Sequence, residues 1–327
     1  MPNPIVAFFD NPFPSLDPIR NTLAKIGAEL RPAKQDTPEA YLEVAADADA
    51  LMVCYAKVPG DMIRKMKRCR IISRTGIGVD NVDLDAASQC GIVVTRQPDY
   101  CIDEVSDHAM ALLLTLVRKV AFSNARVQGG EWKMAAAVPI HRLRGTVMGL
   151  IGFGQIPKLV APKAQAFGMR VVAFDPFIPA EVMKKAGVDK VEFAELLKVS
   201  DYISIHCPLT PETNHLFNAA AFRQMKPTAY LVNSARGPIV DEAALAQALD
   251  SKHIAGAALD VMEKEPPPAN SPLLHRDNVL LTPHTGWYSE EARSDLLVKA
   301  AEEVVLVLSG KAPRNPVNSA ALQAKRS

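Results

Sequence analysis

The sequence predicts an α/β protein built as two units, each a parallel sheet with crossover helices. Three observations carry this. The chain has 327 residues, which at roughly 100 to 200 residues per domain suffices for two domains with hydrophobic cores. Short apolar, β-rich runs alternate with longer segments of helical period, the order that a parallel sheet with crossovers requires. A Gly-x-Gly turn, Gly152-Phe153-Gly154, sits between one such run and a helix-compatible segment, where a second α/β unit would begin.

In the first unit IVAFFD (5–10) leads to a helical segment, LDPIRNTLAKIGAEL (16–30). ALMVCY (50–55) leads to DMIRKMKR (61–68), and RIISRT (70–75), a Gly-rich turn and GIVVTR (91–96) follow. Apolar residues at helical spacing from Ile102 to Lys119 predict a long helix joining the two units. The second unit runs through TVMGLIGFG, MRVVAFD, DYISIHC, TAYLVNSA, IAGAALDV and NVLLTP, each followed by a turn or a helix-compatible stretch. A last helix from about Ser289 to Leu308 ends in Gly-Lys-Ala-Pro. The expected division is therefore 1–101, 102–288 and 289–327, the last returning to the first unit. A Pro-rich loop at 263–272, EKEPPPANSP, follows a strand, a common place for binding groups.

Composition narrows the class. Lys plus Arg number 37 against 36 Asp plus Glu, a net charge of +1, which supplies no field for nucleic acid or an anionic membrane. At 22% charged and 48% hydrophobic the chain reads as globular. No stretch approaches the roughly 18 apolar residues of a span, and the N-terminus has no basic start with a long apolar run, so a cytoplasmic protein is expected. The five cysteines, Cys54, Cys69, Cys90, Cys101 and Cys207, form no C-x-x-C pair and are expected to be reduced, with no metal site.

The Gly152–Gly154 turn places a helix N-terminus where a pyrophosphate can rest, with Gln155 and Ile156 in the first turn. Asp175 closes the next strand, about 20 residues further on, where an acid bonds the ribose hydroxyls. A carboxylate there repels a 2′-phosphate, and Pro176 and Phe177 offer no cation, so the expected cofactor is NAD. Pro157 replaces the third glycine and suits a first helical turn, whereas Pro162 would lie inside the helix, so a late start, bend or shift of that helix is expected.

SRTGIGVDNVDL, PDYCIDEVSDHAMALLL, LRGTVMGLIGFGQI, AFGMRVVAFDPF, HCPLTPET, NSARGPIVDEAAL, AALDVMEKEPP and PHTGWYS follow one another along nearly the whole chain. In this set and order the sequence resembles the D-isomer-specific 2-hydroxyacid dehydrogenases. The resemblance implies a Rossmann-type doubly wound NAD domain inserted in a flavodoxin-like substrate domain, usually as a homodimer. It also implies an active-site trio, here Arg236, Glu265 and His284.

Those residue types suit reduction of a 2-keto acid independently. The planar fork of Arg236 can engage carboxylate and carbonyl together. His284 can give the developing alkoxide a proton near neutral pH. Glu265 beside it would favour the protonated ring and hold one orientation. Hydride comes from the nicotinamide, so no metal is required. Singly, each residue could as well be a loop charge or a strand cap. His108, His141, His215, His253 and His275 read as structural or surface residues.

By the same resemblance Asp260 lies near the nicotinamide carboxamide, and His206, Cys207 and Pro208 flank the adenine side. Thr213, Ser234, Ala235 and Gly286 join Arg236 and His284 as cofactor contacts. Tyr55, Ala56 and the turn Gly76-Ile77-Gly78 complete the substrate site, the turn offering backbone N–H groups to a carboxylate. SRTGIGVDNVDL is closest to phosphoglycerate dehydrogenases. Val53 stands where those enzymes carry an arginine, however, and Arg74 is the main cation nearby, so a phosphorylated substrate is disfavoured. The chain's end at 327 points the same way, since it leaves no room for the regulatory domain many of those enzymes append. Glyoxylate, hydroxypyruvate and larger 2-keto acids remain open. A second reading is an NAD-sensing corepressor like the C-terminal-binding proteins, which share the fold and the trio. A methyltransferase with a G-x-G turn leaves the later motifs unexplained.

Overall fold

The computed structural model describes residues 3–319. They form two compact units, one of the residues up to Tyr100 with those from Ser289 on, the other Cys101–Tyr288.

The first unit contains β1 (Ile5–Phe8), α1 (Asp17–Leu23), β2 (Glu29–Pro32), α2 (Pro38–Ala45), β3 (Ala50–Val53), α3 (Gly60–Ile63), β4 (Ile71–Arg74), α4 (Leu84–Gln89) and β5 (Val93–Thr95). Its five strands are all parallel in the order β2-β1-β3-β4-β5, the flavodoxin-like order. β1, β3 and β4 are buried throughout, as expected of strands covered on both faces.

The segment 16–30 does not continue as one helix. Thr22 Oγ1 bonds back to Pro18 O, a short 3₁₀ turn follows, and Gly27 at φ 64° stops the helix in the left-handed region. Glu29–Pro32 then pairs with β1 as an edge strand, which the apolar spacing around it concealed.

The second unit contains α5 (Ile102–Val117), α6 (Val120–Gln128), β6 (Val147–Ile151), α7 (Gln155–Ala166), β7 (Arg170–Phe174), α8 (Ala180–Lys185), β8 (Val188–Lys190), α9 (Phe193–Val199), β9 (Tyr202–Ile205), α10 (Ala219–Phe222), β10 (Tyr230–Asn233), α11 (Glu242–Asp250), β11 (Gly256–Leu259) and β12 (Val279–Leu281). All seven strands are parallel in the order β12-β11-β10-β9-β6-β7-β8. Chain order reverses between β6 and β9, and the carboxyl ends of those neighbours are the switch point of a doubly wound Rossmann sheet.

α5 buries Val105, Ala109, Leu112, Leu113 and Leu116, the i, i+3, i+4 stripe, and carries Asp103 and Glu104 in its first turn where the helix dipole favours them. It packs with Phe153, Val160, Ala161 and Ala164 on one side of the sheet. Phe217, Phe222, Leu231, Leu245 and Leu273 fill the other. Lys119, at φ 53°, ends α5 and turns the chain into α6, of which no residue is buried.

α12 (Glu290–Leu308) closes the first unit. Ser289 caps it by accepting from Ala292 N, and Glu290 and Glu291 complement the dipole. Its buried face runs through Leu296, Ala300, Val304 and Val307, and Ala300 O accepts from Ser73 Oγ of β4. Among the described residues no helix is long and apolar enough to cross a membrane. No disulfide joins their cysteines, of which Cys54, Cys69 and Cys101 are buried, Cys207 half-buried and Cys90 exposed.

Candidate functional site

The switch point of the second sheet is built by glycine and aspartate. β6 ends at Gly152, whose φ of 90° few other residues adopt and whose Cα leaves only 3.1–3.2 Å between a hypothetical Cβ and the His206–Cys207 backbone. Gly154 precedes α7 without a side-chain cap, and a Cβ there would meet nothing within 4 Å. An uncapped helix N-terminus facing open space is a fit cradle for a diphosphate.

α7 starts at Gln155, so the expectation of a late start is corrected. Pro157 falls within its first turn, where a missing N–H costs little, and Pro162 lies inside it, giving no N–H to Lys158 O.

Asp175 follows β7 beside this turn. Its Oδ2 accepts from Phe153 N at 2.8 Å, and Oδ1 from Phe177 N at 2.9 Å and Ile178 N at 3.2 Å. Two carboxylate oxygens offer about four acceptor positions, so one remains open among the described residues. Phe153 is fully buried, so only its backbone faces the turn.

The His206 ring bonds Ser204 Oγ at 2.9 Å, and burial pushes its pKa down to about 3, which keeps it neutral. Burial pushes the Cys207 thiol up to about 12. The Thr213 hydroxyl donates to Pro208 O at 2.7 Å and accepts from Thr210 N at 2.8 Å, shaping its own loop. Ala235 N is held by Asn233 Oδ1 at 3.0 Å, while Ser234 Oγ is buried with no partner among the described residues, as a donor awaiting a ligand would be.

Loops after β11 and β12 bring Glu265 and His284 together. His284 Nδ1 lies 2.7 Å from Glu265 Oε2, and Glu265 Oε1 accepts from Met262 N at 3.0 Å. Burial pushes the Glu265 carboxyl up, but the bond and charge of His284, Met262 N–H and the charge of Arg236 outweigh it and hold it below the usual value of 4.5. A lowered folded-state pKa means that this stabilisation is present above pH 4.5 and lost as pH falls through the lower value. Glu265→Gln is accordingly expected to flatten the acid limb of stability, read from melting temperatures between pH 6 and 3. An unchanged limb would remove Glu265 from that pairing.

Arg236 donates Nη1–H to Ala235 O at 2.7 Å, which ties the guanidinium to the same loop as Ser234. Gly237 lets this loop approach, since a Cβ there would stand 1.9 Å from the Met262 carbonyl.

Asp260 organises the loop that carries His284. Its buried carboxylate takes Thr282 Oγ1 at 2.6 Å and Thr285 N at 2.9 Å on Oδ1, and Gly286 N at 2.8 Å on Oδ2, while its main-chain oxygen accepts from His284 N. Burial raises its pKa, yet His108, Thr282 and the two backbone donors bring it below the ordinary value. The residue clamps the His284 turn and keeps one acceptor position on Oδ2 among the described residues.

In the first unit the residues named from sequence gather at the carboxyl ends of β3 and β4. Asp10, which sequence reading missed, accepts from Cys54 N at 3.0 Å, from Ala56 N at 2.9 Å and from Tyr55 N. Burial raises its carboxyl despite these donors. Its signal was an acid two residues beyond the end of a buried parallel strand. Gly76, at φ 152°, lies under the Arg74 guanidinium, where a Cβ would overlap Nη1 at 1.0 Å, and Ile77 and Gly78 continue the turn half-buried. Arg74 is 8% exposed and its Nε has no partner among the described residues. Val53 is buried at the end of β3. Among the described residues no three His, Cys, Asp or Glu side chains gather as a metal site.

Comparison with known proteins gives the family and the fold. The family described as D-isomer specific 2-hydroxyacid dehydrogenase, NAD binding domain, matches residues 110–286. A D-3-phosphoglycerate dehydrogenase of Methanocaldococcus jannaschii is 41% identical over 92% of this chain and 58% of its own. A glyoxylate reductase of Korarchaeum cryptofilum is 36% identical over 89% of this chain and 90% of its own. A D-lactate dehydrogenase from Aquifex aeolicus complexed with NAD and lactic acid superposes with a TM-score of 0.85 at 28% identity, covering 98% of each chain. The chain spans about half the length of the phosphoglycerate dehydrogenases it matches.

Proposed function

The chain belongs to the D-isomer-specific 2-hydroxyacid dehydrogenases, and from that membership and its site we propose that it is an NADH-dependent reductase of small 2-keto acids. The observation that carries the reading is the 2.7 Å pair of His284 Nδ1 and Glu265 Oε2 on loops adjoining the NAD-binding sheet. That relatives are named as dehydrogenases and reductases favours catalysis over a cofactor-sensing corepressor.

When bound, NADH supplies the hydride. Arg236 fixes the substrate carboxylate and carbonyl oxygen, and stabilises the charge that grows on that oxygen. His284, held through Nδ1 by Glu265, gives the alkoxide its proton from Nε2 and takes it back in the oxidative direction. Asp260 offers its remaining acceptor position to the carboxamide.

Gly152 to Ile156 cradle the diphosphate, with His206, Cys207, Pro208, Thr213, Ser234, Ala235 and Gly286 around the cofactor. Ribose binds at Asp175. Asp175→Ala is expected to lower the preference for NADH over NADPH by roughly tenfold to a hundredfold, through loss of the repulsion against a 2′-phosphate. A preserved preference in kcat/KM would contradict that role. Tyr55, Ala56 and Gly76 to Gly78 belong to substrate binding. The single buried guanidinium of Arg74 suits one carboxylate better than a doubly charged phosphate. Reduction rates across glyoxylate, hydroxypyruvate, phenylpyruvate and phosphohydroxypyruvate test the substrate class, the last expected to be poorest.

We also propose a homodimer, in the cytoplasm. α6 has no buried residue, and Val120, Val127, Trp132, Met134 and Val138 are 42–87% exposed. An adjoining groove of about 520 Å³ is lined by Phe122, Lys119, Arg126 and Arg276, none of them a residue of the site. Apolar exposure on this scale suits coverage by a second copy. Sedimentation is expected to give twice the 35.4 kDa chain mass, and Trp132→Glu with Met134→Glu to give the single mass. A monomeric wild type would contradict the dimer.

A further inference from the structure

His284 sits at φ 54°, a left-handed conformation that a residue with a side chain keeps only where its surroundings over-determine it. The surroundings here are a hydrogen-bond chain that crosses the second unit. Thr282 Oγ1 gives its only proton to Asp260 Oδ1 at 2.6 Å, a short, charge-assisted bond. The same hydroxyl lies 3.1 Å from His108 Nε2, so it accepts there, and Nε2 must carry the proton. His108 Nε2 is also 3.3 Å from Asp260 Oδ1. A Cβ on Gly286 would stand 3.0 Å from His108 Cδ2 and 2.8 Å from Asp260 Oδ2, so the imidazole edge closes against the loop just beyond His284. Asp260 in turn grips the turn on both sides, at Thr282 before His284 and at Thr285 and Gly286 after it.

We propose that His108 is a positioning residue: its Nε2–H, relayed through the Thr282 hydroxyl to Asp260, fixes the left-handed turn that presents His284. The inference rests on the reading of His284 as the proton donor. α5 thereby serves the site as well as the core, since its buried stripe holds the helix while His108, off that stripe, reaches the turn.

Three variants test this: His108→Leu, which removes the donor; His108→Gln, which keeps an N–H near Nε2; and Thr282→Val, which removes the middle hydroxyl at nearly constant volume. His108→Leu and Thr282→Val are each expected to lower kcat by roughly tenfold or more, the scale of one hydrogen bond to a charged group. Combining them is expected to add little, because both cut one chain. His108→Gln is expected to restore most of the loss. Wild-type kcat in His108→Leu, a Gln variant as impaired as Leu, or multiplying losses in the double variant would overturn the proposal. If His108→Leu fails to fold, Thr282→Val against His108→Gln decides by the same criteria. The ring ¹³C signal of His284 gives a readout that needs no substrate. It is expected to shift or broaden in Thr282→Val and keep its wild-type position in His108→Gln. A His284 signal untouched by Thr282→Val would overturn the positioning role even if no 2-keto acid were reduced, an outcome that by itself counts only against the proposed reaction.

Discussion

His284→Ala is expected to lower kcat for 2-keto acid reduction by about 10² to 10⁴-fold, the range of a positioned acid–base group, while NADH still binds. The side chain meets Glu265 at Nδ1 and the turn that carries it is gripped through the main chain by Asp260, so its removal leaves the cofactor cradle around Gly152 and Gly154 intact. Direct NADH fluorescence titration beside steady-state rates checks both halves. Unchanged turnover would remove His284 from proton transfer, and lost NADH binding would make it a cofactor residue.

The second large effect belongs to Arg236. Arg236→Ala is expected to lower kcat/KM by on the order of 10² to 10³, the loss that follows when a charge-paired anchor is truncated. Arg236→Lys keeps the charge but not the fork, and is expected to recover only part, staying at least roughly tenfold below wild type. The bond from Nη1 to Ala235 O, at 2.7 Å, sets the fork's orientation, and an ammonium on a flexible stem cannot reproduce that arrangement. Equal kcat/KM for the Lys variant and wild type would show that charge alone suffices.

What was legible in the sequence was local. Buried parallel strands such as Ile71–Arg74 and Tyr202–Ile205 announce themselves as short apolar runs, and the spacing from Gly154 to Asp175 brings adjacent strand ends together. The occupant of that spacing was less legible, since Asp175 already holds Phe153 N from 22 positions away. Edge strands escaped. Glu29–Pro32 and Val188–Lys190 bury little on one side and carry charge, so they lack the apolar run that marks a central strand. Contacts distant in sequence escaped too: Asp10 with Cys54 across 44 positions, and His108 with Thr282 across 174. His108 reads in sequence as one polar residue on a helix, and only the fold sets it against Thr282 and Gly286. Pro162 shows the reverse case, a residue whose local rule predicts disruption and which a well-packed helix retains.

The most direct test follows the hydride itself. Purified protein is incubated with NADH carrying deuterium at both hydrogens of the nicotinamide C4 and a panel of 2-keto acids, glyoxylate and hydroxypyruvate among them, and products are analysed by mass spectrometry. The expected result is NADH oxidation matched by a 2-hydroxy acid carrying one deuterium at C2. Tight NADH binding with no labelled hydroxy acid from any member of the panel would contradict it.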